Sequence, residues 1–118
     1  LHKETEQKKK EEEIIKPTKT QVILYYIYLQ KAKIIPYFEN HPIGKIEAIE
    51  ELIKKDGIDT TKNYFQKVYN KFTNHPSNRI ARNQVNNIQF VIDHLLNDHP
   101  KAMEIAKEEL NQAITKNR

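Results

Sequence analysis

Residues 21–30 read QVILYYIYLQ, a continuous apolar and aromatic run at residues 22–29 with an amide at either end. Whether this run is a strand or a helix decides the fold. Its Val, Ile and Tyr content suits a strand. Nothing else in the chain reads as a clear partner strand, however, and Lys31-Ala32-Lys33-Ile34 carries the segment past strand length. The stretch therefore predicts a helix over residues 18–35, buried on most sides at the centre of the core, with Thr18 or Thr20 capping it after Pro17. The run is too short to cross a bilayer, which takes about 20 residues, so no membrane partner is expected. Tyr25, Tyr26 and Tyr28 are expected to pack in the core with their phenol oxygens reaching its rim. A stacking platform for bases is the weaker alternative.

Working outward, PYFENHPIG at residues 36–44 contains two prolines and one of the two glycines, which ends that helix and opens a loop. Tyr37 and Phe38 are expected to fold back onto the core. His41, beside Pro42, has no second ligand at useful spacing and reads as an ordinary loop histidine. In KIEAIEELIKK, residues 45–55, the side chains of Ile46, Ala48, Ile49, Leu52 and Ile53 fall on one side of a helix that Gly57 closes. The turn DGIDTT offers Asp59 or Thr60 as a cap for a helix over residues 61–73. That helix turns Tyr64, Phe65, Val68, Tyr69 and Phe72 inward and Asn63, Gln66, Lys67, Asn70 and Lys71 outward. NHPSN at residues 74–78 is a break. Beyond it the pattern predicts a helix over residues 79–97, with Ala81, Val85, Ile88, Ile92 and Leu95 as its apolar seam, widened by Val91 and Leu96. His99-Pro100 starts a last helix over residues 101–116, lined by Ala102, Ile105, Ala106, Leu110 and Ala113.

The expected fold class is thus all-α: an orthogonal helical bundle of about five helices over residues 18–118. Its 45–55 and 61–73 helices form a helix-turn-helix-like hairpin. Residues 1–17 form a charged linker or helical extension whose i,i+4 ion pairs are worth only a few tenths of a kcal/mol each. A length of 118 residues suits one domain with a modest core. The chain begins at Leu1 and its only Met is Met103, so it reads as a piece of a longer protein. The absence of Cys excludes disulfides, thiolate nucleophiles and Cys-based zinc sites, and a cytoplasmic location fits.

The formal charge of +4 is mild, but residues 60–92 carry five Lys/Arg and no acid, while the charges elsewhere nearly cancel. Seven asparagines and three glutamines share that window. Cations neutralise phosphate and amides pair with base edges, so the window points to a nucleic-acid surface. Lys62, Lys67, Lys71, Arg79 and Arg82 are the expected phosphate contacts, and Asn63, Asn70, Asn83 and Asn86 the candidates for base or backbone hydrogen bonds. Five engaged cations imply a slope of log K against log salt of about −4 to −5.

Catalytic chemistry is not legible. Gly44 and Gly57 alone make no phosphate loop, and there is no nucleophile elbow or HExxH pair. Asp93-His94 and Asp98-His99 straddle a helix end and read as caps or dipole partners. Glu50-Glu51 and Glu108-Glu109 read as solvated helix-surface pairs. No enzyme activity, cofactor or metal is expected.

The run TKTQVILYYIYLQKAKII, followed by GKIEAIEELIKK and NYFQKVYNKF, resembles the C-terminal helical region of the RteC family, regulatory proteins of Bacteroidetes mobile elements associated with tetracycline resistance and excision. The family's Asn-Tyr-aromatic step is matched by Asn63, Tyr64 and Phe65, and its basic pair before Asn-x-x-x-Phe by Arg79, Arg82, Asn86 and Phe90. Asp93 falls one residue later than the family pattern, and PYFENHPIG has no clear counterpart. The similarity covers roughly residues 18–96 and implies a DNA-binding transcriptional regulator. The competing expectation is a helical protein-interaction or oligomerisation domain that binds no nucleic acid. It would use the Tyr-rich helix or the 101–116 helix as its contact, including a homodimer through the C-terminal helix.

Overall fold

The computed structural model describes residues 16–115, and among them the chain forms six α-helices and no strand. They are α1 (Lys19–Lys31), α2 (Lys45–Asp56), α3 (Lys62–Asn74), the single turn α4 (Pro76–Arg79), α5 (Val85–His94) and α6 (Pro100–Thr115), with 3-10 turns at Phe38–Asn40 and Arg82–Gln84. The all-α class is as expected. The charged extension lies outside the described residues except for Lys16 and Pro17.

Helix α1 is the hub, packed against α3, α5 and α6. It starts with a reciprocal capping box: Thr18 Oγ1 accepts from Gln21 N–H, and Gln21 Oε1 accepts from Thr18 N–H. Ile23, Leu24, Tyr26, Ile27, Tyr28 and Leu29 are all buried. A helix apolar on nearly every side belongs in the interior, which is why the strand-like composition loses here. The helix stops four residues earlier than the expected residue 35. Lys33 adopts φ 62°, its N–H donates to Gln30 O, and Ile34 N–H donates to Leu29 O. This is a Schellman ending with lysine where glycine is usual.

Phe38 turns back into the core as expected, whereas Tyr37 stays 40% exposed. The Phe38 ring meets Phe65 and Tyr69 edge-on, with centroids 5.9 and 5.1 Å apart. Helix α2 ends at Gly57, in the left-handed region at φ 63°, as the sequence predicts. Ala48 and Ile49 are buried, but Ile46 is 42% exposed instead of inward. Helix α3 is capped by Thr61 instead of Asp59 or Thr60, through Tyr64 N–H to Thr61 Oγ1 at 3.2 Å. Phe65, Tyr69 and Phe72 are its buried face, and Tyr64, expected inward, is 42% exposed.

The largest departure is at residues 79–97, where one helix was expected. Pro76 opens a single turn that ends at Arg79, Ala81 is extended at φ −141°, ψ 156°, and the helix resumes only at Val85. The break turns Arg79 inward, where it reaches both α6 and the last turn of α3. Helix α3 ends with carbonyls that lack intrahelical partners. Arg79 Nη1 donates to Phe72 O at 2.8 Å and Asn78 Nδ2 to Lys71 O at 3.2 Å, so α4 serves as the C-terminal cap of α3.

Two contacts expected of an interaction domain are taken up inside the molecule. Helix α1 is central, and the α6 seam of Ala102, Ala106, Leu110 and Ala113 is buried against the rest of the chain, leaving Ile114 as its exposed large apolar side chain. A homodimer through the C-terminal helix therefore has little apolar surface to use. No described helix is long and apolar enough to cross a membrane.

Candidate nucleic-acid interface

The acid-free window is interrupted on the outside of the molecule, because Arg79 in its middle is buried. Helix α3 packs on α1, α2 and α4, whereas the Arg82–Gln84 turn packs on α5 and α6. On α3, Asn63, Lys67 and Lys71 recur at four-residue spacing and are all exposed, with half-exposed Asn70 beside them. After α4 in the chain, Arg82, Asn83 and Asn86 are exposed around the start of α5. Among the described residues, no carboxylate pairs with Lys67, Lys71 or Arg82.

Two of the five expected phosphate contacts are met by glutamates from outside the window. Lys62 Nζ lies 3.5 Å from Glu50 Oε2 on α2, at the surface, where such a pair is worth little and can be exchanged for another anion. Arg79 is a correction. It is 4% exposed, and Nε and Nη2 form a two-pronged pair with Glu109 Oε1 and Oε2 at 2.7 and 2.8 Å. Buried, and donating to Glu109 and Phe72 O, it is turned away from the surface at which a phosphate would be met. Asn70 is also partly engaged, accepting from Lys45 Nζ.

Glu109 itself was read as a solvated surface carboxylate and is 5% exposed. The signal was in the sequence: residue 109 lies three after Ala106 and four before Ala113, on the apolar seam of α6. Glu109 Oε1 also accepts from the Tyr28 hydroxyl at 3.0 Å, and Lys31 Nζ lies 3.8 Å from its other oxygen. Burial acts to lower the Arg79 pKa, but the hydrogen bond and charge of Glu109 outweigh it and hold the guanidinium above its ordinary value. The result is a charged node joining α1, α4 and α6 inside the core.

Similar polar anchors occur around α1. The Tyr69 hydroxyl donates to Gln30 Oε1 at 2.9 Å and lies 3.1 Å from Glu39 Oε2. The Tyr26 hydroxyl donates to Asp56. Gln21 Nε2 donates to Asn87 Oδ1, and Asn87 Nδ2 to Gln84 Oε1, so Asn87 serves the α1–α5 contact and not an outer face. Tyr25 is half-buried, its hydroxyl 3.4 Å from His99 Nε2. These positions bear out core packing for Tyr26 and Tyr28, although the Tyr28 hydroxyl ends in the interior and not at the rim.

Burial first, and the adjoining carboxylates second, push Tyr26, Tyr28 and Tyr69 well above the ordinary 10.0; for Tyr28, the charge of Arg79 partly offsets this. The folded state therefore keeps these phenols protonated. The stability they supply is complete below pH 10 and is lost as the pH rises past the unfolded-state value. The denaturant midpoint should hold up to about pH 10 and fall steeply above it. Phenolate absorbance for these three rings should appear only together with loss of helical circular dichroism. Full phenolate formation in a still helical protein would refute the coupling.

Among the described residues there is no group of three or more His, Asp or Glu placed to hold a metal ion. Asp93 Oδ1 accepts from Gln89 Nε2 on the α5 surface, and His41 Nδ1 accepts from Ile43 N–H within its own loop. No protein-family model, curated protein or solved structure matches the chain.

Proposed function

We propose that this domain binds nucleic acid, duplex DNA in a regulatory role above all, through the outer stripe of α3. The observation that carries the reading is that α3 is the second helix of the α2–Gly57–α3 hairpin and exposes Asn63, Lys67 and Lys71 with no carboxylate anywhere on the helix. Phosphate contact needs cations that are accessible and not already neutralised, and Lys67 and Lys71 meet both conditions. Arg82, with Asn83 and Asn86, forms a second exposed group that can engage the backbone further along a duplex. Arg79 leaves the contact set and Lys62 contributes only by releasing Glu50. The resemblance to RteC regulators is consistent with this assignment.

Three engaged cations give a slope of log K against log salt of about −3, shallower than the five-cation value. Gel-shift titrations on mixed-sequence DNA at several ionic strengths measure it. Changing Lys67 and Lys71 together to Ala should remove about two from the slope's magnitude and weaken binding at low salt by tenfold or more. Both positions are exposed, so helical content should not change. Wild-type protein that binds no DNA at low ionic strength, or a double variant with unaltered affinity, would refute the reading.

A further inference from the structure

Round the outside of α3 the polar side chains follow a fixed order. At about 3.6 residues per turn, Lys71 and Lys67 stand on one flank, Asn63, Asn70 and Gln66 come next, and Lys62 closes the other flank. The two flanks differ in charge. Among the described residues no carboxylate pairs with Lys67 or Lys71. Lys62 is held 3.5 Å from Glu50, and Lys45, which reaches the same side from α2, lies 3.8 Å from Glu39 and 5.5 Å from the centre of the Tyr69 ring. A duplex groove has phosphates along its border and base edges inside. Free cations bordering a strip of amides match that order, read from one strand inward.

The amides are not equivalent. The acceptor of Asn70 is already engaged, because Oδ1 accepts from Lys45 Nζ. Among the described residues, no hydrogen bond engages the side chains of Asn63 and Gln66, which leaves both ends of each carboxamide available. They lie three residues apart near the start of α3, Asn63 exposed and Gln66 half-exposed. A free carboxamide pairs twice with adenine in the major groove, accepting from the N6 amino group and donating to N7. That groove is about 12 Å wide and admits a helix.

We propose that α3 lies in the major groove with Asn63 and Gln66 reading adenine, while Lys67 and Lys71 hold phosphates of the adjoining strand and Asn70 stays tied to α2. This rests on the nucleic-acid reading above and adds to it the base selected and the two side chains that select it. Sequence preference and salt dependence then belong to different residues, the amides and the lysines.

Duplexes that bind the wild-type chain most tightly are selected from a random-sequence pool and resynthesised with 7-deazaadenine in place of adenine, which removes the N7 acceptor and keeps Watson–Crick pairing. Wild-type binding should weaken about fivefold or more, with the salt slope unchanged. The double variant Asn63→Ala, Gln66→Ala should bind the two duplexes alike and keep the slope of about −3. Alanine favours a helix, and circular dichroism checks that the variant is folded. Salt-dependent binding that ignores the loss of N7, or a double variant as selective as the wild type, would overturn the inference and leave DNA binding itself standing. A wild-type chain that binds no DNA at low ionic strength would remove both.

Discussion

Replacing Arg79 with alanine should cost about 3–5 kcal/mol of folding stability, because it leaves the Glu109 carboxylate buried without its guanidinium partner. The same change strips the donor from Phe72 O at the end of α3. Domains of this size are stable by only about 5–15 kcal/mol, so the variant should be partly unfolded near physiological temperature. Urea denaturation followed by circular dichroism measures the shift. A midpoint within experimental error of wild type would sink the buried-node reading. A companion variant, Arg79→Met with Glu109→Leu and Tyr28→Phe, removes the charges and the hydroxyl together. It should recover part of the loss, since apolar replacement of a whole buried pair is often neutral or better. Full recovery is not expected while the Phe72 carbonyl still lacks its donor. The refolded companion also separates structure from recognition. If it binds DNA with the wild-type salt slope, Arg79 makes no phosphate contact.

Phe65→Ala should be of similar size, about 3–5 kcal/mol, through loss of burial and the cavity left behind. Phe65 is completely buried, and its ring centroid lies 6.3 Å from Tyr26, 5.9 Å from Phe38 and 6.5 Å from Tyr69. That cluster ties α1, α3 and the Phe38–Asn40 turn together. Tyr26 and Tyr69 are fixed by hydrogen bonds at their hydroxyl ends and cannot easily collapse into the space. A loss below about 1 kcal/mol would mean that the cluster repacks freely, contrary to this account. Because Phe65 faces away from the α3 stripe, any folded fraction should bind DNA as the wild type does.

Helix periodicity made most of the elements legible. The apolar side of α2, the Gly57 stop, the Phe65, Tyr69 and Phe72 face of α3 and the alanine seam of α6 follow from spacing alone, because burying one stripe of a helix is a local constraint. Boundaries were less legible. Lys33 at positive φ carries no sequence mark comparable to glycine, and so α1 was drawn too long. The division of the 79–97 segment was invisible for a different reason. Its apolar residues keep helical spacing, and the partners that hold Arg79 inward, Glu109 thirty residues away in sequence and the carbonyl of Phe72, are brought together only by the fold.

The candidate interface divides along the same line. By itself the sequence determined that residues 60–92 hold cations and amides without acids, and that α3 would present some of them on its outer face. Those are properties of composition and of a 3.6-residue repeat. Only the tertiary structure decided which of the cations remain available, because ion pairing depends on what is brought close through space. Glu50 comes up beside Lys62 and Glu109 enters the core to hold Arg79, while Lys67, Lys71 and Arg82 have no carboxylate partner among the described residues.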